Sequence, residues 1–137
     1  MKMNPVVHFE MPFEKRNRMV KFYEATFGWK PQMLGPEMGD YVVVDTTERD
    51  PNTHFPKEPG RINGGFFQKT DDKPAQCPSV VIAVDDIREH VKKVEQAGGK
   101  VLGEPRDIPG VGIYVSFIDT EGNRVSMIQP NPHMGRK

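Results

Sequence analysis

His8-Phe9-Glu10-Met11-Pro12 begins the stretch that decides the fold of this chain, which continues through Met19-Val20-Lys21-Phe22-Tyr23 to Phe27-Gly28-Trp29. Residues 5–11 are rich in Val and Phe and predict a strand, which Pro12 closes. From residue 14 to residue 27 the apolar positions recur at helical spacing, so an amphipathic helix is predicted there. Gly28 supplies the left-handed stop at the end of that helix.

The same order of elements returns in the second half of the chain. Residues 79–84 predict a strand, and Asp85 or Asp86 is a suitable N-cap for a helix. The apolar face of that helix is Ile87, Val91, Val94 and Ala97, and it ends at Gly98-Gly99. Ser79 in this second repeat occupies the position that corresponds to His8 in the first repeat.

Six further strands complete the prediction, namely residues 30–34, 41–44, 62–68, 100–102, 112–118 and 124–129, with a turn at 120–123. The pattern is βαβββ repeated twice, an α+β fold with an internal repeat. We therefore expect a single domain over residues 1–137, with module one at about 5–68, a linker at about 69–77 and module two at about 78–130. The Pro-rich segment 46–61 is expected to be a surface loop, either a lid over a pocket or a plain connection.

Composition narrows the classes of function. The 137 residues carry 19 basic and 19 acidic side chains, so no net charge attracts nucleic acid or an anionic membrane. No apolar run approaches the roughly 20 residues needed to cross a bilayer, and no signal-peptide core is visible. The single cysteine, Cys77, excludes an internal disulfide framework and favours a cytoplasmic location.

The ordered motifs resemble the vicinal oxygen chelate superfamily, which includes glyoxalase, bleomycin-resistance proteins and extradiol dioxygenases. The resemblance covers nearly the whole chain. It rests on residues 7–12, Lys21-Phe22-Tyr23, Phe27-Gly28-Trp29, Ile62-Asn63-Gly64-Gly65, Val84-Asp85-Asp86-Ile87, Ile108-Pro109-Gly110-Val111-Gly112 and Asp119-Thr120-Glu121-Gly122-Asn123. It implies that the two modules form a curled mixed sheet around a groove. We expect a homodimer, because open sheet edges and apolar surface would otherwise stay exposed.

The resemblance also implies where a metal would be held. Metal-dependent members use four side chains on the first and last strands of each module, commonly histidines and glutamates. In this sequence only His8 matches a ligand position, because the others fall on Ser79, Ser126 and the Gly64-Gly65 pair. Serine hydroxyls are poor ligands for the metals that such sites select. We therefore expect no metal and no other cofactor, and describe the metal site as degenerate.

His8 and Glu10 are the candidate catalytic residues. They lie two residues apart on one strand, so both side chains extend from the same face. Glu10 could orient His8 in an acid–base couple, the two could bind a metal weakly, or His8 could be a hydrogen-bonded polar residue of the groove. The other histidines, His54, His90 and His133, are expected at the surface.

A second set of residues is expected to line a small-molecule pocket, with core packing as the competing interpretation for each large side chain. The glycines of this set would leave the backbone uncovered, which either lets a ligand approach closely or accommodates a bulge. The set comprises Trp29, Tyr41, Gly64, Gly65, Phe66, Ser79, Tyr114 and Ser126.

Two functions are compatible with these residues, beside a third interpretation in which the groove is vestigial and the protein is a pseudoenzyme or an interaction module. The first is binding of a small molecule in a groove between the modules, without a catalytic metal. The alternative is a metal-dependent lyase, isomerase or dioxygenase that acts on a vicinal-oxygen substrate and would need a divalent metal. The sequence leaves open whether the protein is an enzyme, which ligand it takes and how the modules pair.

Overall fold

The computed structural model describes residues 2–132, so His133 lies outside the described residues. Eight strands and two α-helices follow one another as two βαβββ modules. Module one contains β1 (Val6–Phe13), α1 (Arg16–Phe27), β2 (Lys30–Met33), β3 (Val42–Asp45) and β4 (Asn63–Gln68). Module two contains β5 (Ser79–Ala83), α2 (Ile87–Gln96), β6 (Lys100–Ile108), β7 (Gly112–Ile118) and β8 (Arg124–Pro130). The predicted α+β class and the tandem repeat are confirmed.

The chain divides into two compact units. One holds His8–Asp50 and Pro56–Pro78, and the other holds the described parts of Met1–Val7, Pro51–Phe55 and Ser79–Lys137. The strand order is β2-β3-β4-β1 in module one and β5-β8-β7-β6 in module two. Within residues 2–132, no helix combines the length and apolar character needed to cross a membrane.

In module one, β1 and β4 run parallel and define two faces of the sheet. Because side chains alternate along a strand, Phe9 and Phe13 extend toward α1, whereas His8 and Glu10 extend from the opposite face. The core on the helix face consists of Phe13, Val20, Val42, Val44 and Phe66, with Phe9, Met11, Met19, Tyr23 and Trp29 packed against it. Gly28 ends α1 in the left-handed conformation, at φ 71°, as predicted.

Module two repeats this division between an apolar face and a polar face. Its core on the helix face consists of Val84, Ile87, Val115 and Met127, surrounded by Ile82, Val91, Val94, Val101, Ile113 and Phe117. The Asp86 carboxylate accepts hydrogen bonds from the Arg88 and Glu89 backbone N–H groups, so the N-cap of α2 is Asp86 rather than Asp85. Tyr114, Ser116, Arg124 and Ser126 alternate with the core residues of β7 and β8 and therefore occupy the other face.

Two strands extend more than one residue beyond their predicted ends. Strand β1 continues through Pro12 to Phe13, whose carbonyl accepts a hydrogen bond from the Lys69 N–H at 2.8 Å. A proline has strand-compatible φ and removes only one donor, so it does not end the strand. Strand β6 was expected over residues 100–102 but runs through Lys100–Ile108, with a shift in register between Leu102 and Arg106.

The turn between β7 and β8 is held by one carboxylate. Asp119 accepts hydrogen bonds from the Glu121 N–H at 2.8 Å, the Asn123 N–H at 2.9 Å and the Asn123 Nδ2 at 3.1 Å. Bonds to Asn123, then Glu121, lower the pKa of Asp119 below its usual 3.8. The charged form is therefore the one that stabilises the turn.

We expect Asp119→Ala to lower the melting temperature at neutral pH. Because the folded-state pKa is lowered, the contribution of Asp119 is present above its unfolded pKa and is lost as pH falls through the folded value. The difference between the variant and the unmodified chain should therefore shrink in acid. Melting curves at pH 7 and near pH 2.5 test this, and a difference that grows in acid would contradict it.

Candidate functional site

The polar face of module one brings His8, Glu10 and Tyr41 together. Strand β1 pairs in parallel with β4 so that His8 lies beside Asn63 and Glu10 lies beside Gly65. Tyr41 stands one residue before β3. Its hydroxyl donates to Glu10 Oε2 at 3.1 Å and lies 3.0 Å from His8 Nε2. Glu10 was expected to orient His8 directly, but the two side chains are instead linked by two hydrogen bonds that share the Tyr41 hydroxyl.

The directions of these two hydrogen bonds determine which atoms carry the protons. The Tyr41 hydroxyl has one proton, and that proton is donated to Glu10. The His8 Nε2 must then carry the proton that it shares with the Tyr41 oxygen, which leaves Nδ1 as the ring's acceptor. Glu10 is only 5% exposed, so its carboxylate accepts the Tyr41 hydrogen bond in a buried position.

Gly65 makes room for this arrangement. A Cβ atom built on Gly65 would overlap the Tyr41 hydroxyl and ring carbons, far inside van der Waals contact. The bare backbone of β4 therefore lets the Tyr41 ring approach the sheet closely beside Glu10. The space beside Gly65, where a ligand or a bulge was expected, is occupied by a side chain of the same module.

Burial sets the charge of His8. It disfavours the imidazolium and is the largest of the effects that lower the pKa of His8 from 6.5. The Glu10 carboxylate opposes this by raising the pKa, and the Arg49 guanidinium adds to the lowering. At neutral pH the cluster therefore contains an uncharged imidazole.

The lowered pKa of His8 predicts a loss of stability in mild acid. The unfolded chain takes up a proton near pH 6.5 while the folded chain resists it, so the stability present above pH 6.5 is lost as pH falls through the lower folded value. His8→Gln should weaken this dependence between pH 7.5 and 5. His54→Asn is the matched control, because exposed His54 has a left-handed φ of 65° that asparagine tolerates. Urea unfolding measures both variants, and an unchanged slope in His8→Gln would contradict the assignment.

Three of the expected pocket residues lie on the other face of module one. Phe66 is 2% exposed within the core, and Trp29 stacks on Tyr23 with ring centroids 4.8 Å apart. A Cβ atom on Gly64 would overlap the Phe9 ring, which also belongs to the helix face. Strand alternation separates Gly64 and Phe66 from Gly65 and Glu10, and Trp29 packs against the core on the same helix face.

The polar face of module two carries a closed set of hydroxyl groups. The Ser126 Oγ is 2.7 Å from the Tyr114 hydroxyl and 2.8 Å from the Ser116 Oγ, and Ser116 donates to Tyr114 at 3.3 Å. If the Ser116 proton goes to Tyr114, then Ser126 donates to Ser116 and Tyr114 donates to Ser126. Ser126 is fully buried, so this ring of hydrogen bonds satisfies it.

A guanidinium completes the cluster in module two. Arg124 donates to the Ser79 Oγ and to the Tyr114 hydroxyl, each at 3.2 Å. Sequence reasoning identified Ser79, Tyr114 and Ser126 but missed Arg124 and Ser116. The two-residue spacing of Arg124 from Ser126, and of Tyr114 from Ser116, was the signal that could have found them.

Two of the surface histidines are described by the structure. His54 is exposed, as expected. His90 is half-buried, with Nε2 3.2 Å from Asn4 Oδ1 and Nδ1 3.3 Å from the Asp86 carbonyl oxygen. The expectation that His90 faces solvent is therefore wrong in part, because the amino-terminal segment packs beside α2.

A separate depression lies on the helix side of module one. Its volume is about 510 Å³. Its walls are mainly Met11, Phe13, Met19, Phe22, Tyr23 and Phe66, with Glu14, Lys15, Arg18 and Lys69 among the polar residues. It shares no lining residue with the His8–Tyr41–Glu10 cluster.

Comparison with known proteins identifies the family. The family model described as Glyoxalase/Bleomycin resistance protein/Dioxygenase superfamily matches residues 6–127. The chain belongs to this superfamily. A glyoxylase-like domain-containing protein of Didymella fabae is 34% identical over 116 residues, which are 83% of this chain and 84% of that protein.

One further relative and one solved structure are also similar to this chain. The anthracycline biosynthesis protein DnrV of Streptomyces peucetius is 30% identical over 112 residues, which cover 74% of this chain but only 38% of that protein. The methylmalonyl-CoA epimerase of Streptomyces coelicolor, solved with 2-nitronate-propionyl-CoA, has a TM-score of 0.70 at 12% identity. The match covers 98% of this chain and 100% of the epimerase chain, and it shows a shared fold.

The residues present do not fit the divalent metal that many superfamily members use. Among residues 2–132, no three His, Cys, Asp or Glu side chains are grouped closely enough to hold an ion. In module one, Tyr41 bridges His8 and Glu10. In module two, a guanidinium donates to the Ser79 hydroxyl, which disfavours a second cation there.

Proposed function

We propose that the chain binds a small organic molecule at the polar face of module one and needs no divalent metal to do so. The observation that carries this proposal is the hydrogen-bond chain from His8 through Tyr41 to Glu10, built over Gly65. Neutral His8 offers an acceptor nitrogen at this face. A hydroxyl or carbonyl compound suits these groups.

Burial supports a binding role for this cluster. Glu10 and Asn63 are both buried side chains on the polar face, and placing such groups there costs free energy unless they are well paired. The Asn63 Oδ1 accepts from the Thr46 and Thr47 N–H groups, whereas its buried Nδ2 has no partner within residues 2–132. Buried polar groups held at a cost are commonly found at functional sites.

The relatives agree with a small organic ligand. The name of the Streptomyces peucetius relative connects it with anthracycline biosynthesis, and the Didymella fabae protein is described as glyoxylase-like. Since the chain spans 38% of the Streptomyces protein, only the part that it matches bears on this proposal.

The experiment that tests the proposal compares metals with organic compounds in one assay. Protein purified without chelator is analysed for total metal, then melted with added Ni²⁺, Zn²⁺, Mn²⁺ or Fe²⁺ and with a library of small hydroxy and oxo compounds. We expect sub-stoichiometric metal, no metal-dependent rise in melting temperature and a concentration-dependent rise with some organic compounds. Stoichiometric metal with a clear rise would instead support a metal-dependent lyase, isomerase or dioxygenase.

We also propose that the protein is a homodimer. Phe22 and Phe27 on α1 are 56% and 60% exposed, and their rings lie 6.4 Å apart, so they form an apolar surface. Sedimentation of the unmodified protein should give about twice the chain mass of 15.5 kDa. Phe27→Glu should shift the measured mass toward that of one chain, because it places a charge on this apolar surface. A monomer at all concentrations would contradict this. The cytoplasmic location remains a prediction.

A further inference from the structure

We infer that the depression on the helix side of module one binds an organic anion that carries an apolar chain, such as a medium-chain carboxylate. Its lining residues come from β1, α1 and β4 and from the segments that follow β1 and β4, and all of them belong to one compact unit. None of them belongs to the His8–Tyr41–Glu10 cluster. The inference therefore does not rest on the function proposed for that cluster.

The walls of the depression are the first argument, because they are apolar. Phe13 and Phe66 are buried, and Met11, Met19 and Tyr23 lie partly exposed beside them. Methionine side chains adapt to apolar groups of different shapes. The volume of about 510 Å³ falls within the range of about 300–1,000 Å³ that is usual for small-molecule sites. An alkyl chain or an aromatic ring would therefore gain free energy by leaving water there.

The charged residues at the depression are the second argument. Three of them are cationic, Lys15, Arg18 and Lys69, and one is anionic, Glu14. The Glu14 Oε2 lies 3.9 Å from the Arg18 Nη2, and the Glu14 Oε1 lies 3.4 Å from the Lys69 Nζ, so two cations share one carboxylate. Lys15 forms no ion pair with any residue that the structure describes. The depression therefore carries an excess of positive charge and attracts anions, most strongly at low salt.

Together, the apolar walls and the positive charges select one class of ligand. An inorganic anion would leave the walls unused, and an organic cation would be repelled by the charges. An organic anion with an apolar chain uses both features, because its chain packs on the walls while its carboxylate stays beside Lys15. Since Lys15 is exposed, the carboxylate keeps much of its hydration and avoids the cost of burying a charge.

A second copy of this chain is the competing occupant, because Phe22 borders the depression and also belongs to the apolar surface proposed for the dimer. A two-fold contact places the same surface of both copies together. Centred on the depression, it would bring two positively charged surfaces into contact. Phe27 lies at the other end of α1 from Lys15, so a contact centred on Phe27 avoids this repulsion. The charges therefore favour the organic anion in the depression.

The experiment uses methionine methyl groups as NMR reporters. Met11 and Met19 line the depression, whereas Met127 lies in the core of module two. Protein with ¹³C-labelled methionine methyl groups is titrated with hexanoate, octanoate and decanoate, each below the concentration at which it forms micelles. Octylammonium and octanol are the cationic and neutral references with the same chain length as octanoate. The variants Met11→Leu and Met19→Leu assign the two reporter signals.

We expect octanoate to shift Met11 and Met19 saturably and to leave Met127 unchanged. Each added methylene group should tighten carboxylate binding by about twofold to fourfold, because part of its surface leaves water. Octanol and octylammonium should bind more weakly than octanoate. Octanoate binding should also weaken as the salt concentration rises, because salt screens the exposed cations.

Two variants change the charge of the depression in opposite directions. Lys15→Glu should weaken octanoate binding by about threefold to tenfold, because repulsion replaces attraction. Glu14→Gln should strengthen it by about twofold to fivefold, because Arg18 and Lys69 lose the carboxylate that they share. Lys21→Glu is the matched control, since Lys21 is exposed on α1 but does not line the depression. It should bind octanoate nearly as the unmodified chain does.

Any of four results would overturn the inference. The first is the absence of a saturable shift of Met11 and Met19 with octanoate. The second is binding of octylammonium that is as tight as binding of octanoate. The third is equal octanoate binding by Lys15→Glu and Lys21→Glu. The fourth is octanoate binding that weakens as the protein concentration rises, which would assign the depression to a second copy of the chain. None of these results bears on small-molecule binding at Tyr41.

Discussion

Phe66→Ala is expected to lower the free energy of unfolding by about 3–5 kcal/mol, as is typical when a buried phenylalanine is truncated. Phe66 is 2% exposed and packs with Phe13, Val20, Val42 and Val44, so the deletion leaves a cavity. This is the largest stability effect that we predict. Guanidinium unfolding at equilibrium measures it, provided that the slope of the transition is unchanged.

Phe67→Ala is the matched control for that experiment. Phe67 is the next residue of β4, is half-buried and extends from the opposite face. Phe67→Ala should lower the free energy of unfolding by distinctly less than Phe66→Ala does. A larger loss for Phe67→Ala would mean that β4 is displaced by one residue, which would exchange its two faces and remove Gly65 from the polar cluster.

Tyr41→Phe is expected to produce the largest effect on binding. The substitution keeps the ring beside Gly65 but removes the oxygen that joins His8 Nε2 to Glu10 Oε2. Because His8 and Glu10 each lose this hydrogen-bond partner, the free energy of unfolding should fall by about 1–2 kcal/mol. Affinity for a compound bound at the cluster should fall by about tenfold or more, because one polar contact and the orientation of His8 are lost together.

Isothermal calorimetry with the strongest compound from the melting screen measures this effect. Tyr23→Phe serves as the control, since Tyr23 stacks on Trp29 within the helix-side packing of module one. We expect the control to bind normally. Unchanged affinity in Tyr41→Phe, combined with weakened binding in Tyr23→Phe, would place the ligand in the depression lined by Tyr23 instead.

Most of the fold could be predicted because its signals are local. Gly28 ends α1, Asp86 caps α2, and the apolar periodicities of both helices stand out in the sequence. Strand β6 was underestimated because Glu104, Arg106 and Asp107 give it the composition of a loop. It lies at the edge of the module-two strand order, where polar residues are tolerated on both faces.

The site was harder to predict because its parts are distant in sequence and depend on strand register. Tyr41 reaches His8 and Glu10 only because β3 and β4 bring it over Gly65. Two adjacent glycines have no side chains whose polarity would show which face of the strand each occupies. The sequence therefore did not show that Gly65, rather than Gly64, lies on the polar face. Arg124 follows a turn and resembled an ordinary surface residue.

The central claim is that module one binds a small organic molecule at Tyr41 without a metal, and NMR of ¹³C-labelled tyrosine tests it most directly. The three tyrosines report on separate places, namely Tyr23 on the depression, Tyr41 on the His8 cluster and Tyr114 on the Arg124 cluster. In metal-free buffer containing chelator, we expect the strongest compound from the screen to shift Tyr41 saturably while Tyr23 stays unchanged. A Tyr41 shift that appears only when a divalent metal is added, or a shift confined to Tyr23, would contradict the claim.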